Sequence, residues 1–404
     1  MSPMQLPGTA DTNVMTLDID KLRAETPGTR NRLHLNNAGA ALMPRPVYEA
    51  VKDHLDLELA IGGYEAHARG RAAFERTYDA IAELINCSRS EIALTENATV
   101  AWQMAFYGMK FLPGDRILTA EAEYAANVIA YLQVAKRTGV KIDFVPSDES
   151  GQMDVAALEN MIDDTVKLIS ITHVPTNGGL INPAVEIGRI ARKHDIPYLL
   201  DACQSVGQIP VDVAEIGCDM LSVTGRKYLR GPRGTGFLYV RNSFMDKLEP
   251  PFLDMHGAEW TSTDGYEMRP DARRFENWEF NVSGFIGLGV AVDYLLDLGI
   301  EETSARLCAL AATARKKLSQ LPEITVRDIG TRKGGIVTFD HVTKSADEIK
   351  AHLAEHKINV SVTGLSSTRF DLEKRGIEAM VRASFHYYNT EEEIDRLIEM
   401  LNEL

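Results

Sequence analysis

Four polar residues and one polar segment stand directly after apolar runs of the chain or at the start of a helical pattern. They are Asn177, Asp201, Gln204, Lys227 and the segment 95–99. Arg226 precedes Lys227, and a cationic neighbour lowers the pKa of a lysine, which leaves more free amine for nucleophilic attack. The set therefore offers an amine, a carboxylate, two side-chain amides and the free backbone N–H groups of a helix N-terminus.

This combination meets the needs of pyridoxal phosphate chemistry. That cofactor requires an amine to form a Schiff base, an acid to keep its pyridine nitrogen protonated, donors to its phenolate and a phosphate cradle. Lys227 is the candidate amine and Asp201 is the candidate acid. The backbone N–H groups around Asn97, Ala98 and Thr99 would face the phosphate, where the helix dipole adds to the attraction.

The elements that must position these side chains are short apolar strands that alternate with helical patterns. Strands covered on both faces of a sheet read as continuous apolar runs. Six such runs occur, at 116–119, 141–145, 167–172, 197–200, 220–224 and 236–240, with helical spacing between them at 125–138 and 183–194. The alternation predicts an α/β fold with a doubly wound, mainly parallel sheet, in which ligands bind at the carboxyl ends of the strands.

Three segments are expected along the chain. Residues 1–30 are polar and rich in Gly and Pro, so we expect an N-terminal arm with little order and the first regular structure near Leu33. Residues 31–289 are expected to form the large cofactor-binding domain. A smaller α/β domain is expected at 290–404. Its region has helical patterns at 284–298, 302–320, 345–356 and 390–403 and strand patterns at 324–328, 334–339, 358–362 and 380–385.

Composition limits the class of function. The 404 residues are 45% hydrophobic and carry a net charge of −15, which would repel a nucleic acid or an anionic membrane surface. The four cysteines are dispersed, and the chain has no signal-peptide pattern and no apolar run of about 18 residues. We therefore expect a cytoplasmic protein with no nucleic-acid or membrane partner. No metal site is expected, because His352 and His356 have i, i+4 spacing without a third ligand.

The ordered set of motifs resembles the class V aminotransferases. The segments 201–204, 222–227 and 231–240 are similar to the lysine region of that family, and the resemblance covers roughly residues 33–404. The opening segment 35–40 and the late strand 381–384 also match. The family has fold type I of the pyridoxal phosphate enzymes and includes cysteine desulfurases and isopenicillin N epimerase, so the resemblance implies that fold and pyridoxal 5'-phosphate as cofactor.

The resemblance also implies a role for each matched residue. The cofactor residues are Lys227 as Schiff-base lysine, Asp201 on the pyridine nitrogen, Gln204 and Asn177 near the phenolate, Thr224 and Arg226 at the phosphate, and Tyr124 stacked on the ring. Arg382 becomes the clamp for the substrate carboxylate, since its fork of donors suits bidentate binding, and Asn37 of the opening segment is a further substrate-binding candidate. The segment 274–281 is similar to the stretch that reaches the neighbouring subunit's cofactor, which implies a homodimer with shared sites and a cofactor contact from Asn281.

Two departures from the desulfurase pattern bear on the reaction. Tyr124 stands where desulfurases usually have His, so stacking is retained while imidazole acid–base chemistry is lost. The segment 361–368 has Ser and Thr where a desulfurase has the loop cysteine that takes sulfur as a persulfide, and no cysteine follows Cys308. A serine hydroxyl is neither a strong nucleophile nor a stable sulfur carrier at neutral pH, so desulfuration through that loop is disfavoured.

These observations predict an enzyme that acts on an amino acid through a Schiff base with the substrate amine and a carbanion at Cα. Departure of a group at Cβ would give β-elimination, as in a C–S lyase, and this is the leading interpretation. Protonation of the cofactor would give transamination, and reprotonation of Cα would give epimerisation. A non-catalytic binding protein that kept the cofactor fold is the alternative from another class.

Overall fold

The computed structural model describes residues 17–404, and all bounds below refer to that part of the chain. The α-helices are α1 Ile19–Ala24, α2 Asn37–Ala40, α3 Arg45–Ile61, α4 Gly63–Ile85, α5 Ala98–Tyr107, α6 Ala125–Thr138, α7 Val155–Asn160, α8 Ala184–Lys193, α9 Val213–Ile216, α10 Val282–Leu298, α11 Ile300–Leu318, α12 Ala346–Glu355, α13 Arg369–Lys374 and α14 Glu391–Asn402. The strands are β1 Leu33–His34, β2 Ile92–Thr95, β3 Arg116–Ala120, β4 Lys141–Val145, β5 Val166–Thr172, β6 Tyr198–Asp201, β7 Met220–Thr224, β8 Gly236–Val240, β9 Ala258–Ser262, β10 Gly265–Met268, β11 Ile324–Val326, β12 Ile336–His341, β13 Ile358–Asn359, β14 Ser361–Gly364 and β15 Ala379–Ser384.

The main layer is a seven-stranded sheet with strand order β2-β8-β7-β6-β5-β3-β4. Neighbouring strands from β7 to β4 in this order are parallel, whereas β8 is antiparallel to both β2 and β7. Every residue of β6, β7 and β8 is buried, because hydrophobic clusters cover both faces of the sheet. The predicted α/β fold with a mainly parallel sheet is confirmed.

The six predicted strands of this sheet are all present, and their ends differ from the prediction by at most one residue. The predicted strands do not include β2, an edge strand of four residues that begins directly after a short 3₁₀ helix. They also do not include the hairpin of β9 and β10, whose residues are mostly exposed and so lack the apolar pattern of a core strand.

A second, smaller layer is a four-stranded antiparallel sheet with order β11-β12-β15-β14. Its hydrophobic core includes residues of α11, α12 and α14. Leu33 and Leu35 from the beginning of the described chain belong to the same core, because β1 pairs in parallel with β13. The opening segment is therefore fixed against the layer formed by the last hundred residues.

The N-terminal arm expected at residues 1–30 is not without regular structure. Helix α1 and a 3₁₀ helix at Pro27–Arg30 fall within it, so the expectation of little order before Leu33 is wrong for these residues. Leu22 explains the difference, since this side chain is buried in the main hydrophobic core. The part of the arm at residues 1–16 lies outside the described residues.

Within residues 17–404, no single helix combines the length and the hydropathy needed to cross a membrane. Helices α10 and α11 reach the required length and hydropathy only when they are taken together, and the two helices are bent by 84° relative to each other.

We predict that Gly188→Ala destabilises the fold. Alanine in a helix is normally favoured over glycine by about 1 kcal/mol, but a Cβ at Gly188 would lie 1.8 Å from the carbonyl oxygen of Ile216. Overpacking of this kind costs about 1–3 kcal/mol, so we expect a lower free energy of unfolding by chemical denaturation. Gly63→Ala is the matched control, because a Cβ at Gly63 meets nothing within 4 Å. Equal effects of the two substitutions would contradict the prediction.

Candidate active site

A cavity of about 300 Å³ lies where the carboxyl ends of β6 and β7 meet the N-terminus of α5. Eight of the sequence-predicted residues line it: Asn97, Ala98, Thr99, Tyr124, Asp201, Thr224, Arg226 and Lys227. Parallel strands bring their carboxyl ends to one edge of a sheet, which is why residues far apart in the sequence meet here.

Lys227 and Asp201 are buried ionisable groups of this cavity. Lys227 is the amine expected to react with the cofactor, and Asp201 is the acid expected to hold its pyridine nitrogen. Burial lowers the pKa of Lys227, and the Arg226 guanidinium lowers it further, while Cys203 and Asp201 oppose this effect. Burial raises the pKa of Asp201, and hydrogen bonds from Asn127 and from the Cys203 backbone N–H oppose it. The cavity therefore favours a neutral, nucleophilic amine on Lys227 at a lower pH than in water.

The N-terminus of α5 supplies anion-binding groups at one end of the cavity. Asn97 caps the helix, since its Oδ1 accepts a hydrogen bond of 3.0 Å from the Val100 N–H. The N–H groups of Ala98 and Thr99 have no partner within the helix, because the first turn lacks preceding carbonyls. Gly236 allows this arrangement: a Cβ there would lie 2.4 Å from the Val223 carbonyl oxygen and 3.1 Å from the Asn97 carbonyl carbon.

Gln204 and Asn177 are buried beside the cavity without lining it. Gln204 Nε2 donates to the Ala38 carbonyl at 3.2 Å, and Gln204 Oε1 is buried without a partner in the described chain. Asn177 Nδ2 donates to Asp371 Oδ2 at 2.5 Å. The Asn177 amide is thus directed towards α13, and its contact with the phenolate remains a prediction.

Arg382 lies on β15, next to the cavity. Its Nη1 donates to the Thr176 carbonyl oxygen at 3.1 Å, and its Nε donates to Ser361 Oγ at 3.0 Å. Burial lowers the pKa of Arg382, and the Arg226 guanidinium lowers it further, while Tyr124 opposes this effect. Nη2 has no protein acceptor among residues 17–404, so one face of the guanidinium is available to a carboxylate.

Asn37 and Asn281 are not brought to the cavity within one chain. The Asn37 side chain is fully buried and engaged: it donates to the His34 and Ser384 carbonyls and accepts from the Tyr388 hydroxyl. Asn281 is exposed and caps α10 through a 2.8 Å hydrogen bond from the Gly284 N–H. Substrate contact by Asn37 and cofactor contact by Asn281 stay predictions.

Three residues close to Asp201 were not among the predicted site residues. Asn127 and Cys203 line the cavity, and Glu123 is buried behind Asn127, with 2.8 Å between Glu123 Oε1 and Asn127 Nδ2. The closeness of the two residues in sequence was the available signal, since Glu123 precedes the N-cap residue Tyr124 of α6 and Asn127 lies in the first turn of the helix. Their approach to Asp201 depends on the packing of α6 on the sheet, which the spacing does not reveal.

Comparison with known proteins decides the family. The model of the aminotransferase class-V family matches residues 33–397. The chain belongs to the class V aminotransferases. As members of this family are, it is a pyridoxal phosphate-dependent enzyme of fold type I.

Individual relatives agree over nearly the whole chain. The chain is 30% identical over 395 residues to a probable cysteine desulfurase of Methanothermobacter thermautotrophicus, covering 95% of this chain and 98% of the relative. It is 27% identical to the apo cysteine desulfurase of Thermococcus onnurineus NA1, with a TM-score of 0.88 and coverage of 100% and 99%. The cystine C–S lyase C-DES, solved with its reaction product cysteine persulfide, shares the fold at 23% identity, with a TM-score of 0.85 and coverage of 94% and 99%.

The residues of the cavity fit pyridoxal phosphate. A buried amine and a buried carboxyl line the same space, and the helix N-terminus with Thr224 and Arg226 provides donors and positive charge for a phosphate. These groups supply the amine, the acid and the phosphate cradle that the cofactor requires. The expected phenolate donors, Gln204 and Asn177, donate to Ala38 and Asp371 in this structure.

We predict that pyridoxal phosphate, fixed with borohydride, modifies Lys227 in preference to Lys52. Burial lowers the pKa of Lys227, whereas the hydrogen bond to Asp56 raises the pKa of exposed Lys52. Each unit of pKa changes the fraction of free amine about tenfold. Peptide mass spectrometry after labelling at pH 7 measures the preference, and Lys227→Ala is expected to lose the visible absorbance of bound cofactor. Equal labelling of both lysines would refute the assignment.

Proposed function

We propose that this enzyme is a C–S lyase that removes a sulfur leaving group from Cβ of an amino acid, cysteine or a cysteine conjugate. The observation that carries the proposal is the buried Lys227 amine in one cavity with the buried Asp201 carboxyl. The relatives named cysteine desulfurase support a sulfur-containing amino acid as substrate.

Each residue of the site has a part in this reaction. When bound, pyridoxal phosphate supplies an electron sink for the electrons released at the substrate Cα. Lys227 would hold the cofactor and, with substrate bound, its free amine would accept the Cα proton. Asp201 would help the pyridine nitrogen to keep its proton, Tyr124 would pack against the ring, and Arg382 would bind the substrate carboxylate.

The reaction balances without an added oxidant or keto acid. With cysteine, the Cα–H and Cβ–S bonds break, the sulfur leaves with the bonding electrons, and hydrolysis of the remaining enamine gives the products. Cysteine and water thus yield pyruvate, ammonia and hydrogen sulfide. Transamination would instead require a keto acid as amino acceptor, and epimerisation would release none of these products.

The segment from Leu365 to Lys374 supports release of sulfur rather than its transfer to the protein. It contains no cysteine, and a hydrogen bond and a ring contact hold it beside the cavity. The Ser367 carbonyl accepts a hydrogen bond of 2.8 Å from the N–H of Ala125, the residue after Tyr124. A contact between the Phe370 and Phe144 rings, 3.7 Å between centroids, holds the same segment.

We predict that the holoenzyme converts cysteine or a cysteine conjugate to pyruvate and ammonia with no added keto acid. Arg382→Lys is expected to reduce kcat/KM by about tenfold to a hundredfold, because a lysine ammonium lacks both the free Nη2 donors and the planar group that Thr176 and Ser361 hold in position. A coupled pyruvate assay measures the activity of the wild-type enzyme and the kcat/KM of the variant. Dependence on a keto acid would indicate an aminotransferase, and loss of optical rotation alone would indicate an epimerase. No turnover of any amino acid would indicate a non-catalytic protein.

We further propose a homodimer with shared active sites. Asn281 lines a second cavity with Tyr64, His67 and Trp278 and is separate from the Lys227 cavity of its own chain. The apolar side chains of Leu59 and Tyr64 are exposed by 88% and 72%, and adjoining exposed apolar groups are typical of an interface. A second copy that covers this surface would bring Asn281 to the neighbouring cofactor.

We predict that light scattering of the purified protein gives twice the chain mass of 44.7 kDa. The double variant Leu59→Glu with Tyr64→Glu is expected to shift the protein towards monomers, since two buried charges would destabilise the interface. Val342→Glu is the control, because Val342 is also exposed but lies in the smaller layer. A monomeric wild-type protein at micromolar concentration would refute the homodimer.

We also propose a cytoplasmic location and the division of the chain into segments 1–30, 31–289 and 290–404. The four cysteines are free thiols, which suits a reducing compartment. Gly299 separates α10, which packs on α3 and α4, from α11, which packs on the smaller sheet. This change of packing partner occurs at Gly299, the junction of α10 and α11, and supports the division into a larger and a smaller domain in this region of the chain.

A further inference from the structure

The carboxyl of Glu123 is a buried acid to which no part of the proposed reaction assigns a role. Its side chain follows β3, directly before Tyr124, and only 2% of the residue is exposed. Within residues 17–404, no lysine, arginine or histidine nitrogen lies within 4 Å of it. A buried acid without a counter-ion is costly, so its retention calls for a physical reason.

Five donors converge on the two oxygens of Glu123. Oε1 accepts from the Tyr124 N–H at 2.8 Å, from Asn127 Nδ2 at 2.8 Å and from the Thr172 hydroxyl. Oε2 accepts from the Thr172 N–H at 3.0 Å and from the Thr119 hydroxyl at 3.1 Å. Three of the five are N–H groups, which can only donate, and a protonated carboxyl would need one of the threonine hydroxyls to turn and accept, so the hydrogen bonds favour the anion.

One amide nitrogen joins this acid to the acid of the cofactor cavity. Asn127 Nδ2 donates one hydrogen to Glu123 Oε1 at 2.8 Å and the other to Asp201 Oδ2 at 3.0 Å. The Cys203 backbone N–H holds the other oxygen of Asp201, at 3.0 Å. The Asp201 carboxyl is thereby fixed on both oxygens, and a second carboxylate lies directly behind the amide that fixes it.

Burial and the neighbouring Asp201 carboxyl act in the same direction on Glu123. Burial raises its pKa and the Asp201 charge adds to this, while the hydrogen bonds from Thr172 and Asn127 oppose it, and the result of these effects is a pKa of about 7. Tyr131 of α6 is the other titratable group that faces Glu123, and Lys227 and Cys203 lie beyond Asp201. The cations that can compensate two adjacent carboxylates are therefore on the cavity side, at Lys227 and at the protonated ring nitrogen of a bound cofactor.

We propose that Glu123 is a positioning residue for Asp201: through the Asn127 amide it holds the Asp201 carboxylate towards the cavity, and its own negative charge helps the pyridine nitrogen to keep its proton. The inference rests on the family's cofactor and is independent of the proposed C–S lyase activity. In this role Glu123, the second buried acid, strengthens the electron sink of the cofactor, and it contacts neither substrate nor cofactor.

The test follows the pyridine nitrogen directly. Protein loaded with cofactor carrying ¹⁵N in the ring is titrated, and the ¹⁵N chemical shift reports the pH at which the nitrogen loses its proton. Glu123→Gln is expected to lower this midpoint by about one pH unit, since it removes a nearby charge in a low-dielectric site. Glu121→Gln is the matched control, because Glu121 stands two residues earlier but pairs with Ser147 and Lys374, and it is expected to leave the midpoint unchanged.

A second variant keeps the test decisive if Glu123→Gln fails to fold. Thr172→Val preserves shape but removes the hydroxyl donor to Glu123. Because that donor lowers the pKa of Glu123, its loss keeps Glu123 neutral up to a higher pH, and the midpoint of the ring nitrogen is expected to fall by a smaller amount than in Glu123→Gln. A midpoint equal to that of the wild type in every folded variant would overturn the proposal. Neither measurement requires turnover, so failure of this inference and failure of the lyase proposal are distinguishable.

The protein without cofactor gives an independent readout. A carboxyl whose pKa is raised in the folded state binds protons more tightly when folded, so stability falls as pH rises from the unfolded value of about 4.3 towards 7. Thermal unfolding of the wild-type apoprotein is expected to show this fall, and Glu123→Gln is expected to make the melting temperature less dependent on pH over the same range. The same pH dependence in both proteins would contradict a titrating Glu123.

Discussion

The structure depends on burying an amine and a carboxyl at the same edge of one sheet. Water would favour the charged form of each, and burial opposes this, so the pKa of Lys227 falls and that of Asp201 rises. Such a pair is useful only if its geometry is fixed, and the parallel strands β6 and β7 provide rigid ends for it. The two-sided hydrophobic core serves this purpose, because it holds both strands in register.

The remaining parts of the site come from both layers and meet at Thr176. Its hydroxyl accepts a hydrogen bond from Gln204 beside the cofactor cavity and another from Arg382 of the smaller sheet. Thr176 thus couples the position of Arg382, the proposed clamp for the substrate carboxylate, to that of Gln204. A shift of β15 relative to the main sheet would alter both side chains together, so their relative position is determined by the packing of the two layers.

The sequence predicted the elements with a strong local signal. Strands β7 and β8 are buried on both faces, so their apolar runs gave their bounds without error. Lys227 and Asp201 follow such strands and do line one cavity. Helix α1 was missed because its order depends on Leu22 in a distant core, and the side chain of Asn37 is occupied by partners about 350 residues away, which no local pattern reveals.

The opening segment also connects the cavity to the smaller sheet. Leu33 pairs with Ile358, the Ala38 N–H binds Ser384, and the Ala38 and Gly39 carbonyls accept hydrogen bonds from Gln204 and Arg226. Arg226 lines the cavity and Gln204 lies beside it, so the support behind both residues extends to β13 and β15. Loss of β15 would therefore loosen a centre that lies far away in sequence.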